Sequence, residues 1–338
     1  MEGGSAVSET PLLQVEHLKK YYSMKTGMFS RAKGQVKAVD DISFTLRHGE
    51  TIGIVGESGC GKSTMGKSIL RLIEPTAGKI LLEGEDFTAL QGSALKQARR
   101  KMKLIFQDPY ASLNPRMTVR DIIGENLDID HTYPNKKERD SRIMEVMEQT
   151  GLNLDYLDRY PHEFSGGQRQ RIGIARAIVL QPRLVICDEP VSALDVSIQA
   201  KIINLLKELQ NRLGLSYIFI SHDLSVVKHI SDRVGVMYLG HMMELADKRS
   251  LYENPMNPYT QALISAIPKL PGETEREKIP LTGDVPSPAN PPSGCCFHTR
   301  CPMAKPICSE EIPQLKQVGP DHWCACHLCK GCAETKAV

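Results

Sequence analysis

Nine residues set the terms on which this chain can fold: Gly56–Thr64, reading GESGCGKST. They follow an apolar run, Thr51–Val55, and precede Ile69, Leu72 and Ile73, which fall at helical spacing. Strand, glycine-rich loop and helix in that order make a phosphate-binding loop of the form G-x-x-x-x-G-K-[ST]. Gly56, Gly59 and Gly61 let the backbone turn tightly and approach phosphate oxygens without a Cβ in the way. The free N–H groups at the helix start, with the dipole behind them, favour an anion. Lys62 adds a positive charge for the β and γ phosphates, and the Ser63 hydroxyl can ligate Mg²⁺. Gly56, Ser58, Gly59, Cys60, Gly61, Lys62, Ser63 and Thr64 are therefore the expected nucleotide cradle. A strand before and a helix after make a coincidental glycine turn a poor explanation.

A chain of 338 residues accommodates one large domain with an appendage, and 41% hydrophobic residues suffice for a sizeable core. The net charge of +2 gives no chain-wide attraction to nucleic acid, so the basic cluster Arg99–Arg100–Lys101–Lys103 is read as a solvated face or local contact. No apolar run reaches the roughly 18 to 20 residues of a spanning helix. The first residues lack the basic start and apolar stretch of a signal peptide, which predicts a cytosolic protein.

Along the chain, residues 1–11 read as a disordered leader. Early strands are expected at Leu12–Leu18 and Ala38–Leu46, with a loop rich in Gly, Lys and Ser between them. After a turn at Pro75–Gly78, further strands are expected at Lys79–Leu82 and Lys103–Phe106. Lys136–Gln149 has one apolar face and stops at Gly151; a second amphipathic run goes from Ser165 through Leu180 to Pro182. Leu184–Cys187 and Tyr217–Ile220 read as buried strands flanking a helix over Val196–Leu213, capped by Gly214. The alternation predicts an α/β fold with a mainly parallel sheet, plus an antiparallel portion from the early strands. Pro268–Gly294 holds seven prolines and reads as an extended arm.

Two further motifs give the loop a purpose. Leu184–Glu189 is an apolar strand ending in two acids: Asp188 suits Mg²⁺, held directly or through water, and Glu189 suits a general base for water. Phe164–Arg171 (FSGGQRQR) places Ser165, Gly166, Gly167 and Gln168 at a helix start, a second anion site by the logic of the first. One nucleotide does not need two such sites from one chain, so the second is read as serving a nucleotide bound on a partner subunit.

The loop, Gln107, Ser165–Gln168, Asp188–Glu189, Ser192–Asp195 and His222, in this order and spacing, resemble the ATPase subunit of an ABC transporter over about residues 12–265. The resemblance implies a P-loop NTPase with a RecA-like core, an antiparallel β portion and a helical subdomain near 108–180. It implies ATP and Mg²⁺ as ligands. It gives Tyr22 the adenine stack, with Tyr21 adjacent as the alternative register, and it gives Gln107 the sensing of Mg²⁺ and γ-phosphate. Asp195 falls in the loop that crosses to the partner ATPase, His222 is the switch at the γ-phosphate, and Ser165 and Gly167 close on the partner's ATP. Phe106–Val119, Cys187–Ala200, Asn254–Leu263 and Gly283–Cys308 are similar to oligopeptide/dipeptide importer ATPases in particular. That likeness implies a second, homologous ATPase subunit, two membrane permeases, an extracellular solute-binding protein acting indirectly, and a place on the cytoplasmic face of the membrane. Peptide is the implied cargo, with nickel or another solute as alternatives. A soluble ABC ATPase acting on nucleic acid or ribosomes is the competing class; such chains commonly carry two ATPase units or a long coiled coil, and this one has neither.

Residues 266–338 are expected to form the proline-rich arm and an irregular cysteine-rich extension. Eight of the ten cysteines lie at or beyond Cys295. In a reducing compartment such clustering suggests metal or iron–sulfur ligation more than disulfides. Cys295, Cys301, Cys308 and Cys326 have a spacing similar to that proposed for a [4Fe–4S] cluster in some relatives. Cys296, Cys324, Cys329 and Cys332 are extra thiols, so zinc with Cys or with His298 or His327, and a metal-free tail, stay open.

Overall fold

The computed structural model describes residues 10–24, 34–268 and 277–329. Most of the leader, most of the early glycine-rich loop, part of the proline-rich arm and Cys332 lie outside them. The chain starts with β1 (Leu13–Ser23) and β2 (Gln35–Leu46), then enters the core through β3 (Thr51–Val55) and α1 (Lys62–Ile69). It leaves for β4 (Ala77–Leu82), β5 (Glu85–Asp86) and α2 (Gly92–Ala98), and returns in β6 (Met102–Ile105). Three helices follow: α3 (Val119–Ile129), α4 (Lys136–Gln149) and α5 (Gly166–Ile178). The core resumes with β7 (Leu184–Asp188), α6 (Val196–Leu213), β8 (Ser216–Ile220), α7 (Leu224–Ile230) and β9 (Arg233–Tyr238). Then come β10 (His241–Asp247), α8 (Lys248–Glu253) and α9 (Pro258–Ser265), and in the extension α10 (Pro306–Glu310), β11 (Lys316–Gly319) and β12 (His322–Cys324).

The main sheet has the order β11-β12-β10-β9-β3-β8-β7-β6. It is parallel from β9 to β6 and antiparallel beyond β9. A second, antiparallel sheet runs β2-β1-β4-β5. The fold is thus the expected α/β one, with its antiparallel portion and its helical segment. The parallel strands are buried on both faces, which is why they read as continuous apolar runs rather than alternating ones. Their residues divide by parity between two cores. Ile52, Ile54, Ile186, Ile218 and Ile220 face the antiparallel sheet and α1; Val55, Val185, Cys187, Tyr217 and Phe219 face the helices.

Helix α1 ends at Ile69, earlier than the spacing of Leu72 and Ile73 suggests. Arg71 turns the backbone at φ +50, and its guanidinium bonds Phe87 O, Leu90 O and Glu74 instead of facing solvent. Leu72 is left half exposed. The basic cluster is spent locally: Arg100 pairs with Asp130 at 3.0 Å and Lys101 with Glu83 at 2.6 Å.

The extension is irregular until α10 and then joins the main sheet. β12 pairs antiparallel with β10, Glu244 opposite Cys324 and Ala246 opposite His322. The wholly buried Glu244 carboxylate meets His322 Nε2 at 2.7 Å and accepts from the Met256 and Asn257 amides at 2.7 and 3.0 Å. A buried acid with three partners meets the condition for burying a charge. Phe297 from the extension sits 1% exposed between Tyr238 and Tyr259, ring centroids 5.4 and 5.1 Å away.

Candidate active site

β3 delivers the chain to Gly56, and α1 starts at Lys62 with Gly61 as its cap. Gly61 has φ +104, and a Cβ there would lie 1.9 Å from Ala38 O, so no other residue fits. The cap has no side-chain hydrogen bond, which leaves the first amides of α1 open to an anion. Lys62 is buried; its Nζ donates to Gly56 O at 2.7 Å and Glu57 O at 2.9 Å. Ser58 and Gly59 are exposed at the crest, with Ser63 and Thr64 half-buried behind them. The Cys60 thiol is turned inward, 3.7 Å from Lys62 Nζ, and burial pushes its pKa up against the pull of Lys62. Cys60 therefore adds backbone to the cradle, and its side chain fills core space.

The acids sit at the carboxyl end of β7. Ser63 Oγ donates to Asp188 Oδ1 at 2.6 Å, and Lys67 Nζ lies 3.7 Å from Asp188 Oδ2. Glu189 leaves the strand with φ +46, a left-handed conformation costly for a side chain with a Cβ. The turn aims its carboxylate at two of the expected site residues. Gln107 Nε2 donates to Glu189 Oε2 at 3.0 Å, and His222 Nδ1 lies 3.3 Å from the same oxygen. Gln107 follows β6 and His222 follows β8, so the ends of three neighbouring parallel strands converge, the place where open α/β sheets bind ligands.

The other expected residues stand apart from this cluster. Ser165 is exposed and caps α5 from outside, its hydroxyl accepting from the Gln168 amide at 3.4 Å while the Gln168 side chain accepts from the Ser165 amide at 3.0 Å. Gly166 and Gly167 follow, close to Leu194 and Ile198. Asp195 caps α6, accepting from the Ile198 amide at 3.0 Å. Of the two tyrosines, Tyr21 donates to the buried Asp40, while Tyr22 is 39% exposed with Lys20 Nζ 5.0 Å from its ring centre. Sequence reasoning passed over Glu57, which lies in the loop it singled out, and Arg300, which no motif marks. Arg300 Nη1 and Nη2 bind the Glu57 carboxylate at 2.7 and 3.1 Å.

In the extension, burial pushes the Cys295 thiol up to about 11, and the fields of Cys308, Cys326 and Cys301 add to the effect. Burial likewise raises Cys301, with Cys326 and Cys308 contributing. The four expected thiols thus share one neighbourhood. Among the described residues, however, no group of three or more His, Cys, Asp or Glu is arranged to hold a metal ion. Cys324 Sγ and Cys329 Sγ lie 2.9 Å apart, and Cys329 is pushed up to about 12, chiefly by that contact. The donor chemistry suits a metal; the arrangement does not present a formed site.

A carboxylate-bearing strand beside an open phosphate loop, with a glutamine and a histidine on the second acid, defines an ATPase of the cassette type. Residues 39–192 match the family model for the ABC transporter, and residues 243–308 match that for the oligopeptide/dipeptide transporter C-terminal region. The oligopeptide transport ATP-binding protein AppF of Bacillus subtilis is 57% identical over 96% of this chain and 99% of its own length. The putative oligopeptide transport ATP-binding protein YkfD of the same organism is 54% identical over 96% and 98%. A dimeric, post-hydrolysis structure of the ATP-binding cassette MJ0796 with ADP and Pi superposes with TM-score 0.62 at 28% identity, covering 70% of this chain and 99% of that one. The chain belongs to the oligopeptide/dipeptide-type family of ABC transporter ATP-binding proteins.

Proposed function

We propose that this chain hydrolyses ATP to power peptide uptake through a membrane importer, working as one of a pair of ATPase subunits. The observation that carries the hydrolytic role is the convergence of Gln107 and His222 on the Glu189 carboxylate, one residue from the Ser63–Asp188 contact. Gly56–Thr64 cradles the triphosphate, Lys62 neutralises it, and Tyr22 receives the adenine. Ser63 and Asp188, with Gln107 nearby, would hold Mg²⁺, which supplies charge neutralisation on the phosphates. Glu189 takes the proton of the attacking water, and Gln107 and His222 hold its carboxylate in place and report on the γ-phosphate.

Ser165–Gln168 and Asp195 act across the pair. Ser165 and Asp195 are exposed, Gly166–Gln168 are half-buried, the caps are satisfied within their own helices, and Asp195 adjoins Val196, an apolar side chain 81% exposed. A second, different ATPase would supply the opposing signature loop and receive this one. One of the two permeases would dock in the groove of about 290 Å³ lined by Leu72, Leu104, Phe106 and Arg176, where exposed apolar surface adjoins the Gln107 segment. The cargo is chosen by an extracellular binding protein. Among the described residues no helix is long and apolar enough to cross a membrane, so the chain's place at the cytoplasmic face depends on the permeases. For the extension, Cys295, Cys301, Cys308 and Cys326 are the thiols that would hold a [4Fe–4S] cluster, with zinc or a metal-free tail as the competitors.

Copurification tests the assembly: the tagged chain should bring down two permeases and a second ATPase, and recovery alone or with ribosomes would refute the transport reading. Anaerobic purification tests the tail. Iron with absorbance at about 400 nm supports the cluster, zinc replaces it, and neither metal removes both.

A further inference from the structure

Glu57, the second residue of the phosphate loop, is held from three sides, and two of the holds come from residues 243–308. Its carboxylate takes both terminal nitrogens of Arg300, at 2.7 and 3.1 Å. Its backbone N–H donates to Tyr259 Oη at 3.0 Å. Its carbonyl accepts from Lys62 Nζ at 2.9 Å. The same peptide that receives the loop lysine is thus fixed by the C-terminal part of the chain. Two parallel N–H···O bonds to a carboxylate impose direction as well as attraction.

The clamp is built into the core. Arg300 is 7% exposed; its Nη1 also donates to Tyr238 Oη at 3.3 Å, and its Nε has no partner among the described residues. Tyr238 and Tyr259 lie 4.8 Å apart between centroids, and Phe297, three residues before Arg300, packs on both. A guanidinium buried there has Glu57 as its counter-charge, and breaking the pair strands a charge out of water. Arg300 therefore cannot swing away at little cost, and Glu57 stays where Arg300 puts it.

We propose that Arg300 is a positioning residue for nucleotide binding: through Glu57 it fixes the peptide that holds Lys62 and so presets the loop for the triphosphate. The extension then forms part of the ATP site through Glu57, which Arg300 holds. Arg300 directly precedes Cys301, so the cysteine-rich turn and the phosphate loop are mechanically joined. This inference rests on the reading of Gly56–Thr64 as the ATP site.

The test is titration of a fluorescent ATP analogue on the full chain, and steady-state ATPase assay on the chain assembled with its partner ATPase, as wild type and as R300Q, R300K, E57Q and R300Q/E57Q. R300Q should raise the Kd and KM for ATP by roughly ten- to a hundredfold, the scale of a misplaced binding group, while kcat falls far less. E57Q should match it, the double variant should be no worse than the worse single one, and R300K should recover part of the affinity. Unchanged ATP affinity in folded R300Q, or additive losses in the double variant, would overturn the proposal. Should a single variant not fold, R300Q/E57Q decides, since it removes both charges and strands neither; unchanged affinity there refutes the clamp. A wild type that binds no better than K62A would refute the ATP-site reading instead.

Discussion

The chain starts two helices with glycine-rich turns, α1 after Gly56–Gly61 and α5 after Ser165, and finishes them in opposite ways. At α1 the cap residue has no side chain, the first amides are left open, and a buried lysine is parked on the loop's own carbonyls. At α5 Ser165 and Gln168 satisfy each other's backbone in a capping box, on an exposed corner. The first is an incomplete cradle waiting for an anion inside the chain; the second is stable alone and presented outward. On the proposed function these are two half-sites, each of which a second ATPase subunit would complete.

The comparison breaks first if the α1 site is not catalytic. E189Q should lower ATP hydrolysis by about 10²–10⁴-fold, the usual range for a lost general base, with ATP affinity retained. Hydrolysis within a few-fold of wild type would remove Glu189 from that role. K62A should instead weaken ATP binding by about a hundredfold, since a buried charge meant for phosphates is lost, and equilibrium titration separates it from E189Q. If K62A bound ATP normally, the open cap of α1 would not be a phosphate site.

The α5 site is sharpened by S165A. Hydrolysis by the assembled pair should fall about tenfold or more, while ATP binding to the separate chain is untouched, because the hydroxyl serves the other subunit's nucleotide. The same substitution should cost about 1 kcal/mol in urea unfolding, the worth of the N-cap it provides at rest. A loss of ATP affinity in the separate chain would place Ser165 in its own chain's site and collapse the distinction.

Local chemistry was legible and long-range contacts were not. GESGCGKST, the apolar strand before Asp188–Glu189, and the cap-like Ser165 and Asp195 all carry their physics within a few residues, so strand, helix and cap could be read directly. β9 and β10 are wholly or largely buried strands interrupted by Gly235 and the charged Arg233 and Glu244, and no local period marks them. Arg233 is there to meet Glu50 at 3.3 Å, and Glu244 to meet His322, partners that only the fold brings near. Arg300 and Glu57 are separated by 243 residues, and nothing in either neighbourhood announces the other. The cysteine spacing picked out Cys295, Cys301, Cys308 and Cys326, but the arrangement of the thiols is set by the fold of the extension, which also brings Cys324 Sγ to 2.9 Å from Cys329 Sγ.

The smallest effect concerns the adenine, for which two adjacent tyrosines compete. Alternation along β1 sends their side chains to opposite faces. Tyr21 is committed to Asp40, with Lys37 Nζ 5.4 Å from its ring centre, whereas the Tyr22 ring is open to solvent. Stacking of a base on an aromatic ring is worth roughly 1–3 kcal/mol, and an exposed ring should give the lower end. Y22A should therefore raise the Kd for ATP by about five- to tenfold and leave thermal stability nearly unchanged. Y21F should do the reverse, since it removes a donor to a buried carboxylate and no surface for adenine. If Y21F weakened ATP binding more than Y22A, the adenine would lie on the other face of β1, and the assignment would move by one residue.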